Sequence, residues 1–193
     1  MKRFLIPVIA MALALSACGS PSADTSSVSG STSAASSSQD ENMISGFDGI
    51  EWGASQDDIS GSFSGLSEID TGVDGLTALS GDGSIQALPA NVTYCFGSDG
   101  LETIGYELTD TMIDDQYQSL CDSFIEDYGQ AATSKDSTGW GKCSVWVDPD
   151  KDFAYISQAG EVVISKHDTA FIDKASETLQ EFHEIDLDSL LGK

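Results

Sequence analysis

Val92-Thr93-Tyr94-Cys95-Phe96-Gly97 and Leu101-Glu102-Thr103-Ile104-Gly105-Tyr106-Glu107-Leu108, joined by Ser98-Asp99-Gly100, are the stretch that decides the fold. Two apolar alternations of period two flank a turn in which Gly supplies positive φ, so the reading is a β-hairpin. Val92, Tyr94 and Phe96 share one face of the first strand; Ile104, Tyr106 and Leu108 share one face of the second. The period then changes. From Thr111 to Tyr128, Ile113, Tyr117, Leu120, Cys121, Phe124, Ile125 and Tyr128 recur at three- and four-residue spacing, with acids on the other side. That pattern predicts an amphipathic helix. Thr111 with Asp114 offers a capping box, and Gly129 a stop.

Working outward, Leu76–Ser80 reads as a further strand before the hairpin. Trp140–Val147, Phe153–Ser157 and Glu161–Ser165 read as three after the helix. The turns between the last three are short, so the sheet is expected to be antiparallel. Before the sheet, Ser55 with Asp58 forms an S-x-x-D box, predicting a short helix from Gln56 that carries Ile59 and Phe63 inward. After it, a last helix opens at Asp168 with Phe171, Ala175, Leu179 and Phe182 on one stripe. Ile185, Leu187, Leu190 and Leu191 trail behind, either docked or awaiting a partner. No internal repeat stands out, although helix-then-strands occurs about twice. The predicted fold class is α+β: an antiparallel sheet of about five to six strands packed on one face by helices, preceded by a signal peptide and a disordered tether.

The amino terminus carries different information. Lys2 and Arg3 precede an apolar run from Phe4 to Leu15, then Ser16, Ala17 and Cys18. This is the layout of a secretory signal, and it is shorter than the about 20 residues a membrane span needs. Leu15-Ser16-Ala17-Cys18 resembles the bacterial lipobox. The resemblance implies cleavage before Cys18, a diacylglyceryl group on its thiol, acylation of the new amino terminus, and an extracytoplasmic protein held on the cell membrane. Gly19 after the cysteine implies the outer membrane where the organism has one. Residues 19–42 hold ten serines and almost no large apolar side chain, so they are expected to form a flexible tether spanning about 25–30 Å. The expected organisation is signal peptide 1–17, lipidated Cys18 and Ser-rich linker 18–42, α+β domain 43–167, and C-terminal helix and tail 168–193.

From Cys18 onward the chain has six lysines, no arginine and 32 Asp and Glu, a balance of −26. Nothing basic is available to displace phosphate counterions, so nucleic acid is excluded as a partner. An anionic lipid surface would repel the domain, leaving the acyl chains on Cys18 to anchor it. The acidity either attracts cations and basic partners or keeps a displayed protein soluble.

No pattern for catalysis or metal emerges. Asp148-Pro149-Asp150-Lys151-Asp152 opens like a calcium loop, but Phe153 sits where Gly is needed and Ala159 where a bidentate Glu is needed. Asp70, Asp74 and Asp82 lie among glycines, as loop acids around a cation or as ordinary turns. Gly61-Ser62-Phe63-Ser64-Gly65 is not a nucleophile elbow, since Phe63 stands at its centre. His167 lies at a strand end and His183 in a charged segment where it is expected to be solvated. Cys95, Cys121 and Cys143 show no zinc spacing and leave both a disulfide and buried thiols open. No cofactor and no enzymatic activity are expected.

Aromatics supply the lead for binding. Trp140, Trp146, Phe153 and Tyr155 fall on one predicted hairpin. Val145 and Val147 point opposite to Trp146. If the valines face the helices, Trp146 stands on an open sheet face; otherwise the C-terminal helix or a loop covers it. Trp146, Phe153 and Tyr155 are the candidate binding residues, with an envelope protein as the expected partner and a small ligand or cation as the alternative. A hydrolase with a carboxylate site is the third possibility.

Ile50-Glu51-Trp52-Gly53-Ala54-Ser55, the helix end Tyr128-Gly129 and the hairpin around Trp140 together resemble a module of uncharacterised bacterial lipoproteins, in which I-x-W-G-x-S leads into a helix and strands. The likeness covers about residues 47–165, and the chain departs from it by its extra C-terminal helix and by lacking the Pro expected after Tyr-Gly. The order is also similar to one repeat of the β-lactamase inhibitory protein fold. Neither resemblance implies an activity or transfers a catalytic residue.

Overall fold

The computed structural model describes residues 50–148, 152–166 and 169–193. Helix α1 (Gln56–Ser62) starts at the predicted capping box: Ser55 Oγ accepts from Asp58 N–H, and Asp58 Oδ2 accepts from Ser55 N–H, both at 3.2 Å. Ile59 turns inward, and the Phe63 ring stacks on Tyr94 with centroids 5.4 Å apart. A meander follows: β1 (Ser67–Ile69), β2 (Thr77–Ile85), β3 (Leu88–Gly97) and β4 (Gly100–Leu108). Helix α2 (Asp114–Tyr128) leads into a second meander, β5 (Thr133–Ser137), β6 (Gly141–Val147), β7 (Asp152–Ser157) and β8 (Glu161–Lys166). Helices α3 (Ile172–His183) and α4 (Leu187–Leu190) close the chain.

All eight strands form one antiparallel sheet in the order β1-β2-β3-β4-β8-β7-β6-β5. The fold is therefore α+β with a single antiparallel sheet, but with eight strands where about five to six were expected. The two missed strands, β1 and β5, are the sheet's edges. These strands, Ser67-Glu68-Ile69 and Thr133-Ser134-Lys135-Asp136-Ser137, are short and, Ile69 apart, polar. Edge strands are kept this way against aggregation, which removes the apolar alternation that a reader of the sequence looks for. The helix-plus-meander unit occurs twice, and the two copies join last strand to last strand, with Gly105 of β4 opposite Val163 of β8.

Each face of the sheet has its own core. Successive strand residues point to opposite faces. On one face Leu79, Tyr94, Ile104, Trp146 and Ile164 pack under α1 and α2. On the other, Cys143, Val145, Phe153, Tyr155 and Val163 pack under α3 and α4. The expectation of helices on one face only is corrected here, because the carboxy-terminal helices lie on the second face. Phe171, Ala175 and Leu179 of the predicted stripe are buried, and the trailing Ile185, Leu187 and Leu191 dock beside them.

Several boundaries differ from expectation: β3 starts at Leu88 instead of Val92, α3 at Ile172 instead of Asp168, and α2 and β2 differ as follows. Helix α2 begins at Asp114, not Thr111, because Met112 is 3% exposed and its N–H donates to Gln158 O at 3.0 Å, pinning that residue to the β7–β8 turn. Gln116 Oε1 then accepts from Ile113 N–H, and Ile113 itself, outside the helix, is 63% exposed. The carboxy end is as predicted, with Gly129 at φ 78°. Strand β2 runs five residues past its predicted end and turns into β3 through Gln86 and Ala87, whose φ values are +47° and +64°. Two adjacent positive φ angles define the turn that matches strand twist, usually occupied by Asn-Gly.

Candidate functional site

All three expected binding aromatics are interior. Trp146 is 2% exposed, tilted against Phe124 of α2 with ring centroids 5.2 Å apart, and its Nε1–H donates to Gly129 O at 3.0 Å. Phe153 and Tyr155 sit on the opposite face beneath the carboxy-terminal helices, 0% and 1% exposed. The open-face placement is therefore corrected: Trp146 faces α2 while the valines face α3, and both faces of this hairpin are covered. Trp140 lies against Phe182 at 4.4 Å.

The remaining sequence candidates separate. Cys95, Cys121 and Cys143 are free and buried. Burial, reinforced by Glu102, pushes the Cys95 thiol up to about 12, and burial raises Cys121 and Cys143 too. A thiol so held is a packing group, because the thiolate is the reactive form. Asp70 Oδ1 accepts from Gly72 N–H at 2.9 Å, an ordinary Asx turn. Cys18, the signal peptide, the Ser-rich linker, His167 and residues 149–151 of the calcium-like run lie outside the described residues.

His183 is buried, 4% exposed, not solvated as expected, and its Nε2 lies 3.1 Å from Ser157 Oγ. The pair has the composition of a nucleophile and base, yet Ser157 is 2% exposed and His183 Nδ1 has no hydrogen-bond partner among the described residues. A catalytic serine needs access, and its histidine needs a third group to hold the ring. This pair has neither.

The I-x-W-G-x-S motif is also structural. Ile50 is buried, Trp52 donates to Asp152, and Ser55 caps α1. Gly53 N–H donates to Leu101 O, and Leu101 N–H donates to Ala54 O, both at 2.9 Å. This brings Gly53 O so near Gly100 that a Cβ there would meet it at 2.3 Å.

One open recess among the described residues is polar. Asp82 of β2, Asn91 of β3, Glu107 of β4 and Glu161 of β8 stand directly opposite one another in register, forming one row across four strands. A recess of about 360 Å³ opens at its outer end, lined by Asp82, Pro89, Asn91, Glu107 and Thr109 among others. Asp82 and Glu107 are exposed, and Asn91 is held by a hydrogen bond from Ser80 Oγ to its Oδ1 at 2.6 Å. At the inner end Glu161 accepts from Tyr155 O–H at 2.8 Å. Burial, together with Glu107 opposite, raises the Glu161 carboxyl to about 7 against the pull of Tyr155 and of Lys174 on α3. Among the described residues no three His, Cys, Asp or Glu side chains converge as metal ligands would. Exposed carboxylates side by side, with an amide between, suit the N–H donors of an ammonium or guanidinium group. Only Asp82 of this row stood out in the sequence, and as a loop acid. Glu107 and Glu161 are placed together by the β4–β8 pairing, which no local pattern announces.

Comparison with protein-family models, with curated proteins and with solved structures finds no match to this chain.

Proposed function

We propose that this protein is a lipid-anchored, extracytoplasmic binding module of the cell envelope that takes a cationic ligand in the Asp82–Asn91–Glu107 recess. The observation that carries the ligand class is the acidic row itself: exposed carboxylates in register at an open recess, while the described aromatic side chains are buried or half-buried. The anchor rests on Leu15-Ser16-Ala17-Cys18. Acyl chains at about 0.8 kcal/mol per buried CH₂ hold such a chain firmly when two or more are present. No helix among the described residues is long and apolar enough to cross a membrane.

A thermal-shift panel tests the ligand class. Spermidine and arginine ethyl ester are expected to raise the melting temperature beyond a matched salt control, and Asp82→Asn with Glu107→Gln is expected to abolish the difference. A flat response, or an equal response in the double variant, overturns the recess as the site and moves the search to protein partners from solubilised envelope. Cys18→Ser tests the anchor: it is expected to release the chain from the membrane fraction.

A second reading has one observation in its favour. Glu161, raised to about 7, stands opposite the exposed Glu107, the pairing of acid and base that hydrolysis of a glycosidic or ester bond uses. It predicts turnover lost in Glu161→Gln with cation binding retained.

A further inference from the structure

We propose that His183 is an acid-sensitive latch: protonating its imidazole lifts helices α3 and α4 from the sheet. This is independent of the recess and its ligand.

The geometry is that of a neutral ring in a dry seat. His183 lies in the last turn of α3, is 4% exposed, and its Nε2 is hydrogen-bonded to Ser157 Oγ on the sheet. A neutral imidazole meets Ser157 through Nε2, as donor or acceptor according to its tautomer, and leaves Nδ1 unpaired among the described residues. A protonated ring carries an N–H at both nitrogens and a positive charge, and the N–H at Nδ1 faces no acceptor among the described residues. Burying an uncompensated ion costs several kcal/mol.

The surrounding charges do not relieve it. From β5, Lys135 Nζ donates to Glu184 O, placing an ammonium on the carbonyl of the next residue. On β6, Cys143 stands opposite Ser157, and on β8 Glu161 does, its carboxyl accepting from Tyr155 O–H. Glu184, the helix cap, follows His183 in the chain and is exposed. A helix carboxy terminus favours a cation by about 0.3–1 kcal/mol. That is less than the cost of burying the charge, and Lys135 already answers the Glu184 carbonyl. Burial accordingly holds the ring below its ordinary titration range. Terminal elements open locally at lower free energy than the sheet they cover, so the penalty falls on α3 and α4 before it falls on the fold. Their departure would bare Val145, Phe153 and Tyr155.

Hydrogen exchange on the full chain, resolved by peptide and corrected for intrinsic rates, tests this at about pH 7.5 and about pH 5. The amides of α3 are expected to exchange about tenfold faster at low pH for each pH unit separating the seated from the detached imidazole. Those of β3 and β4 hold constant. His183→Gln keeps a hydrogen-bonding group for Ser157 and cannot take up the charge, so its α3 loses the acid response; Glu161→Gln keeps it. If His183→Gln does not fold, a proton-resonance titration of the native ring decides: its midpoint must lie below the ordinary histidine value and coincide with α3 opening. Exchange of α3 that ignores pH, an unchanged response in His183→Gln, or an ordinary midpoint overturns the latch.

Discussion

Trp52 donates its indole N–H to the Asp152 carboxylate at 3.1 Å, joining residues a hundred positions apart. Asp152 is 3% exposed, so the bond ties the segment before α1 to the first residue of β7. Replacing Trp52 by Phe keeps most of the apolar area and removes the donor. A loss of about 1–3 kcal/mol is expected, the range for withdrawing a partner from a buried charged group. Urea denaturation measures it, and a change within error would show the bond to be incidental.

Trp146→Ala distinguishes core from surface. Its contacts with Phe124 and Gly129 O predict a loss of about 3–5 kcal/mol, as for other buried large-to-small changes. At about 2–4 °C per kcal/mol this is a shift that calorimetry resolves easily. A nearly unchanged melting temperature would return Trp146 to the surface.

The β2–β3 turn holds Gln86 and Ala87 at positive φ, where a side chain costs about 1–2 kcal/mol. Ala87→Gly is expected to stabilise the domain by about 1 kcal/mol through relief of that conformation. Equal or lower stability would mean that the side chain makes a compensating contact.

Glu161 and His183 give opposite pH slopes. The folded Glu161 carboxyl titrates near 7, above its ordinary 4.5. Its contribution is fully present below about 4.5 and is lost as pH rises through about 7, because the native state holds the proton more tightly. His183 is displaced downward, so its contribution is present above 6.5 and is lost as pH falls through the lowered value. Glu161→Gln therefore removes the decline between about pH 4.5 and 7 and leaves the histidine slope exposed. Urea midpoints across that range, native against variant, check the sign; parallel curves would exclude Glu161 as the source.

The three domain cysteines should resist a thiol reagent in the native state and react together on unfolding, since each thiol is enclosed and held protonated. Fast modification of any one in the folded chain would contradict its burial.

Where apolar periodicity and turn chemistry agree, the fold was legible. Ser55 and Gly129 mark helix ends where predicted, and the Val92–Leu108 hairpin stands as read. Trp146 was ambiguous for a definite reason: alternation says that it opposes Val145, not which of the two faces a given helix. That choice is made by α3, whose docking depends on contacts far along the chain. His183 misled because Glu181 and Glu184 flank it, and flanking charge says little about a helix face whose inward side is reached only every third or fourth residue. The row from Asp82 to Glu161 was invisible because β4 and β8 lie on either side of α2 in the chain, so no local pattern reports their register.

That last-strand-to-last-strand junction also bears on how the chain finds its structure. Within each meander, partners are joined by short turns or modest loops; the long-range sheet pairing is confined to β4 and β8, where Thr103 and Ser165 bond at 2.6 Å across 62 positions. The loop-closure entropy of the sheet is thus concentrated in one pairing, that of β4 with β8. A cut between Leu108 and Asp114 falls in the β4–α2 connection, leaves every hairpin of the sheet intact, and makes the β4–β8 pairing a contact between two chains.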